Sequence, residues 1–177
     1  MRLVALLLVL WLVAAPFASA QPARSQPIER ARLGFLVGEF QGEVQLFPGE
    51  GAPTITAPMH YRGAWELDSA WVVARYEQSP GGRTLRGMLL YTWEAKPGRY
   101  LFYGVANAPM EPTRMIGTMQ GTRLVFEAGS GSSPTYREIW EPAGTDTLIT
   151  SLEYQRDGRW VTGTRAVLIR ANGTTGR

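Results

Sequence analysis

The chain has no cysteine, one histidine (His60) and one lysine (Lys96) among its 177 residues. Without cysteine there can be no disulfide, thiolate metal site or cysteine nucleophile. A structural zinc site draws on about four nitrogen or sulfur ligands, which one histidine cannot supply. Any Ser-His-Asp arrangement would have to use His60. Charge of one sign is also scarce: 18 basic residues stand against 15 acidic ones, a formal net charge of +3. The arginines are scattered singly, without a run that could track a phosphate backbone, so no nucleic acid partner is expected. There is no P-loop, no GxGxxG after a strand, no GxSxG elbow and no cluster with metal-ligand spacing. No residue is therefore assigned to catalysis or metal binding, and no cofactor is expected.

One long apolar run is present, at the start. Arg2 gives a positive flank, residues 3–15 are apolar and uncharged, and Ala18, Ser19 and Ala20 supply small residues where a signal peptidase reads. Cleavage before Gln21 is expected. The run is shorter than the roughly 20 residues that span a bilayer, and Pro16 ends it. The reading is an exported soluble chain, periplasmic or extracellular, with no membrane span after signal removal. Residues 21–36 are read as a polar leader running into a short helix. Pro27 suits a first helical turn, Glu29 the positive end of the helix dipole, and Ile28, Leu33 and Leu36 can share a face. Residues 172–177 are read as a flexible tail.

Residues 37–171 carry short runs of alternating apolar and polar side chains. They predict about ten strands: 38–47, 54–67, 71–78, 84–94, 99–107, 113–119, 123–127, 135–141, 147–155 and 159–170. Turn residues separate them at 48–51, 80–82, 96–98, 120–121, 129–134, 142–144 and 157–158. Asp157-Gly158 is the sharpest of these, because both central residues of a type I′ hairpin turn take positive φ. Consecutive hairpins imply an antiparallel up-and-down meander, and closure of ten twisted strands removes exposed edges. The fold expected is one all-β barrel with a short N-terminal helix. No helix-sized segment lies between strands, which disfavours a parallel α/β sheet.

Leu36-Val37-Gly38-Glu39-Phe40-Gln41-Gly42 resembles the LxGxWxG opening of lipocalin-like (calycin) barrels, with Phe40 in place of Trp. The preceding helix, the strand from Trp71 to Tyr76, the Asp157-Gly158-Arg159 hairpin and the terminal Leu168-Ile169-Arg170 extend the likeness. In this order they resemble a bacterial lipocalin-like family, domain of unknown function 1579. The resemblance implies that Phe40 and Arg170 pack together to close one end of the barrel, by cation–π contact. The related nitrobindin barrels hold haem through a late histidine. Residues 159–170 contain none, so the resemblance implies no haem here.

The aromatics Trp65, Trp71, Tyr91, Trp93, Tyr103, Trp140 and Tyr154 can form either core or pocket lining. Arg75 lies in an otherwise apolar strand, and either Arg137 or Glu138 should face inward, where a buried charge needs a partner. The ligand-binding candidates are Trp65, Arg75, Tyr91, Trp93, Tyr103, Arg137 and Trp140, with an inward arginine holding a carboxylate head group. Alternation puts His60 on the more polar face of its strand. Glu39 and Glu43 share one face and read as a solvated edge.

Three functions fit. The first is an exported barrel that binds or carries a small, mainly apolar molecule. The second is a barrel-cavity enzyme using His60 or an Arg/Glu pair. The third is a non-catalytic envelope interaction module. Ligand identity and oligomeric state are left open.

Overall fold

A computed structural model describes residues 27–49, 51–108, 111–129 and 135–171. The apolar leader, residues 21–26 and the tail at 172–177 lie outside the described residues, as do Glu50 and residues 130–134 of two expected turns.

Ten antiparallel strands follow one another around a closed barrel: β1 (Gly38–Leu46), β2 (Ile55–Glu66), β3 (Trp71–Gln78), β4 (Leu85–Glu94), β5 (Arg99–Ala106), β6 (Thr113–Gln120), β7 (Arg123–Ala128), β8 (Tyr136–Pro142), β9 (Thr147–Arg156) and β10 (Arg159–Arg170). Each strand pairs with its sequence neighbour, and β1 pairs with both β2 and β10. The ladder thus has no open edge. At the last hairpin Asp157 and Gly158 take φ of 51° and 72°, the positive pair that lets a two-residue turn follow the twist of the strands.

Alternation sets the inner face. In β2, Ala57, Met59, Tyr61 and Gly63 are buried while Pro58, His60, Arg62 and Ala64 are exposed. The same parity, carried through the ladders, turns Tyr91, Phe102, Phe126, Trp140, Leu148 and Leu168 inward, where they form the core.

The N-terminal segment stoppers one end of the barrel. A single α-helical turn, α1 (Ile28–Ala31), runs into a 3-10 turn (Arg32–Leu36). Leu33 and Leu36 are fully buried against the core. Their removal from water contributes about 1.5–3 kcal/mol each. Tyr61 Oη donates to the Leu36 carbonyl at 3.1 Å, and Tyr100 Oη lies 2.9 Å from the Glu29 carbonyl and 2.8 Å from its carboxylate. The stopper therefore satisfies hydroxyls that would otherwise be buried alone. No helix among the described residues is long and apolar enough to cross a membrane.

Phe40 and Arg170 are cross-strand partners at this same end. The Arg170 guanidinium carbon lies 4.4 Å from the Phe40 ring centroid, and its Nη1 donates to the Val37 carbonyl at 3.1 Å. Gly38 is required here twice over. Its φ is 138°, and a side chain would run into the Arg170 guanidinium. Arg170→Ala removes the ring contact and one hydrogen bond, and is expected to lower stability by about 1–2 kcal/mol. A urea midpoint equal to that of wild type, at equal slope, would show that the contact adds nothing.

Candidate functional site

Among the described residues, nothing stoppers the opposite end. An interior cavity of about 330 Å³ lies there, lined by inward side chains of β3–β6, β8 and β9 and by Glu111 of the β5–β6 connection. Its aromatic wall is Tyr76, Phe102, Tyr136 and Tyr154; Leu89, Met115 and Leu152 supply aliphatic surface. Tyr136 and Tyr154 are cross-strand partners with ring centroids 6.3 Å apart. The space depends on missing side chains. Gly87 faces Tyr76 across the β3–β4 ladder, and a Cβ there would collide with the phenol ring. The glycine lets Tyr76 lie flat on its own wall.

Glu138 is the polar centre of this cavity. Its parity follows from Trp140, two residues on and 1% exposed: a residue that large and that apolar holds the strand's inner face. Glu138 must then point inward as well. The Trp140 indole Nε1 donates to Glu138 Oε1 at 2.7 Å. The second carboxylate oxygen makes no hydrogen bond among the described residues, and Glu138 lines the cavity. Burial pushes the Glu138 pKa up to about 7; the Trp140 hydrogen bond acts the other way and is the smaller effect. Its charge adds to burial in raising the pKa values of Tyr61, Tyr76, Tyr91 and Tyr154. The buried Tyr91 hydroxyl has no partner among the described residues.

The sequence candidates divide into three groups. Tyr91 and Trp140 face inward and form part of the core, their rings edge to face at 5.9 Å. Neither lines the cavity, although Trp140 holds the carboxylate that does. Trp65 and Trp93 pack against the core, and Trp93 lies 4.8 Å from the Tyr100 ring, close to the stopper.

Arg75, Tyr103 and Arg137, offered by sequence as ligand-binding candidates, lie on the outer face and do not line the cavity; of Arg137 and Glu138, it is Glu138 that faces inward. Arg75 is 3.7 Å from Glu66 and largely exposed. Tyr103 accepts a hydrogen bond from Arg114 Nε at 3.2 Å and packs beside Trp71. Arg137 meets Glu153 at 2.6 Å and lies 4.3 Å over the Trp160 ring. The physical reason is economy of burial. An outer arginine keeps its charge near water and lays its stem on apolar surface, whereas an inward one would be desolvated without a partner. Tyr154, counted among the sequence aromatics, does line the cavity. Tyr76 and Tyr136 were not singled out by sequence, and Glu138 only as the alternative to Arg137. The available signal was the alternation Tyr136, Glu138, Trp140.

A second, wider groove of about 630 Å³ runs over the outside of β1–β5. His60 lies in it, exposed and paired in register with Glu77. Its arginines are already matched: Arg62 with Glu39 at 3.2 Å, Arg86 with Glu77 at 2.7 Å, and Arg75 with Glu66. Such exposed pairs leave no net charge to recognise an anion and contribute little each. Neither His60 nor the Arg137–Glu153 pair lies in the barrel cavity. Among the described residues there is no group of three or more acidic or histidine side chains able to hold a metal ion.

No family model matches this chain, and no curated protein does. Among solved structures, that of Rv2717c from M. tuberculosis is similar, with a TM-score of 0.60 at 14% identity. The match covers 86% of this chain and 99% of the other. At that identity the likeness extends to the fold alone.

Proposed function

We propose that this chain is an exported member of the lipocalin-like family that its opening motif resembles, and that it binds or carries one small, mainly apolar molecule in the open end of its barrel. The observation that carries this reading is the interior cavity of about 330 Å³, open at one end and floored by a packed aromatic core. That volume falls at the lower end of small-molecule sites, which are mostly apolar with a few placed polar groups. Tyr76, Phe102, Leu89, Met115 and Leu152 supply the apolar wall, and Glu138 the polar group. A barrel whose middle is filled and whose mouth is hollow suits a compact ligand better than a long acyl chain.

The test is titration of the mature protein with small aromatic probes, followed by tryptophan emission and calorimetry. One probe should bind per chain, saturably, and change the emission of Trp140 through its contact with Glu138. Failure of a chemically varied probe set to saturate would remove the ligand-binding reading. Mass spectrometry of the native protein purified from its own host would weigh a retained ligand directly. Expressed with its leader, the protein should accumulate in a form that begins at Gln21; a mature form that retains Arg2 would refute export by signal cleavage.

A further inference from the structure

Among the described residues, Glu138 and Glu111 are the only charged side chains that line the cavity, and every lining group that could balance a charge is an uncharged phenol or hydroxyl. Arg75, Arg86 and Arg137, on strands that line the cavity, point outward and are matched to outer carboxylates. One oxygen of Glu138 is held by Trp140, while the other makes no hydrogen bond among the described residues, and the residue lines the cavity. A carboxylate enclosed in this way lacks the counter-ion that buried charges ordinarily have. Around it stand the faces and edges of Tyr76, Phe102, Tyr136 and Tyr154. Aromatic walls with a carboxylate at the base form a cation site, because ring faces attract a positive charge and the carboxylate accepts its N–H groups.

We propose that the ligand of this cavity is an organic ammonium compound, with an apolar body lying among Tyr76, Phe102 and Tyr136 and a protonated nitrogen on the free oxygen of Glu138. This rests on the ligand-binding reading above and deepens it. It reverses the head group expected from sequence, where an inward arginine called for a carboxylate. Glu111 at the mouth adds a second negative charge that favours entry of a cation.

Acidity supplies an internal control. Glu138 must be ionised to pair with the nitrogen, and its pKa of about 7 places that change within reach of experiment. The titratable groups that face it are Tyr61 on β2, Tyr76 on β3, Tyr91 on β4, Tyr136 on β8 and Tyr154 on β9, with Glu111 at the rim. None is an arginine, lysine or histidine. An alkylamine stays protonated across this range, so loss of its binding on acidification reports the protein.

The experiment compares phenylbutylamine, phenylbutanol and phenylbutanoate, which share one apolar body, by calorimetry at about pH 8. The amine should bind about tenfold more tightly than the alcohol, and the carboxylate more weakly than either. In Glu138→Gln the amine-to-alcohol ratio should fall to about one. In Glu127→Gln, which removes a carboxylate from the exposed face of β7, the ratio should persist. In wild type the ratio should shrink as pH falls to about 5.5, a readout that needs no variant. Saturable alcohol binding with no preference for the amine would overturn the ammonium assignment and leave the cavity reading standing. So would a preference that survives Glu138→Gln. If none of the three saturates, the ligand-binding reading fails and this inference fails with it.

Discussion

Glu138→Gln is expected to make the folded protein more stable than wild type by about 2–3 kcal/mol at pH 8, an unusual direction for a substitution inside a barrel. Burial raises the Glu138 pKa from its ordinary 4.5 to about 7. At pH 8 the carboxylate is ionised in both folded and unfolded chains, and only the folded chain bears the desolvation penalty. Between about pH 7 and pH 4.5 the folded form holds one proton more than the unfolded form, so wild-type stability rises as pH falls through that window. Below it both forms are protonated and the penalty is gone. The variant's advantage should therefore shrink from pH 7 downward and vanish near pH 4. Gln keeps an oxygen that can accept from Trp140 Nε1, so the comparison isolates the charge. Paired denaturant curves at about pH 8 and pH 4 provide the check. An advantage constant with pH, or a variant less stable than wild type at pH 8, would place the Glu138 carboxylate in contact with bulk water.

The second large effect belongs to Trp140. Trp140→Phe keeps an aromatic ring beside Tyr61 and Tyr91, which lie 5.4 and 5.9 Å away, but removes the indole donor. A hydrogen bond to a charged group is worth about 1.5–3 kcal/mol, and the smaller ring leaves a void as well. The expected loss is about 3 kcal/mol at pH 8. It should be smaller near pH 5, where Glu138 is largely protonated in the folded chain and the lost bond is between neutral groups. Loss of the donor should also push the Glu138 pKa higher, so the window of rising stability moves toward alkaline pH. A cost independent of pH would assign Trp140 to packing alone.

Much of the barrel was legible without coordinates, for a local reason. Side-chain parity repeats every two residues, and Gly, Pro and Asp interrupt it at each turn. Asp157-Gly158 marked its hairpin because few other residue pairs take two positive φ values. The short N-terminal helix was legible from Pro27, Glu29 and the spacing of Ile28, Leu33 and Leu36, but not its place in the end of the barrel. The site was harder to read. Strands such as Trp71–Gln78 and Tyr136–Pro142 carry large residues on both faces, and parity alone does not say which face is inside. Arg137 and Glu138 illustrate this. Each has aromatic or aliphatic neighbours two residues away, and only the closure of β7 and β9 around Trp140 separates them.

The sequence by itself determined the strand count, the antiparallel order, the hairpin at Asp157-Gly158 and the absence of thiol chemistry. These depend on side-chain alternation, turn conformations and composition, which act over a few residues. The tertiary structure decided which ends of the strands were stoppered and which charge entered the barrel. The first depends on Tyr61 meeting Leu36, 25 residues away, and Tyr100 meeting Glu29, 71 residues away. The second depends on where solvent lies once the ladder closes. Arg75 and Arg137 found outer carboxylates within reach, and Glu138, tied through its strand to Trp140, had no outward orientation left to it.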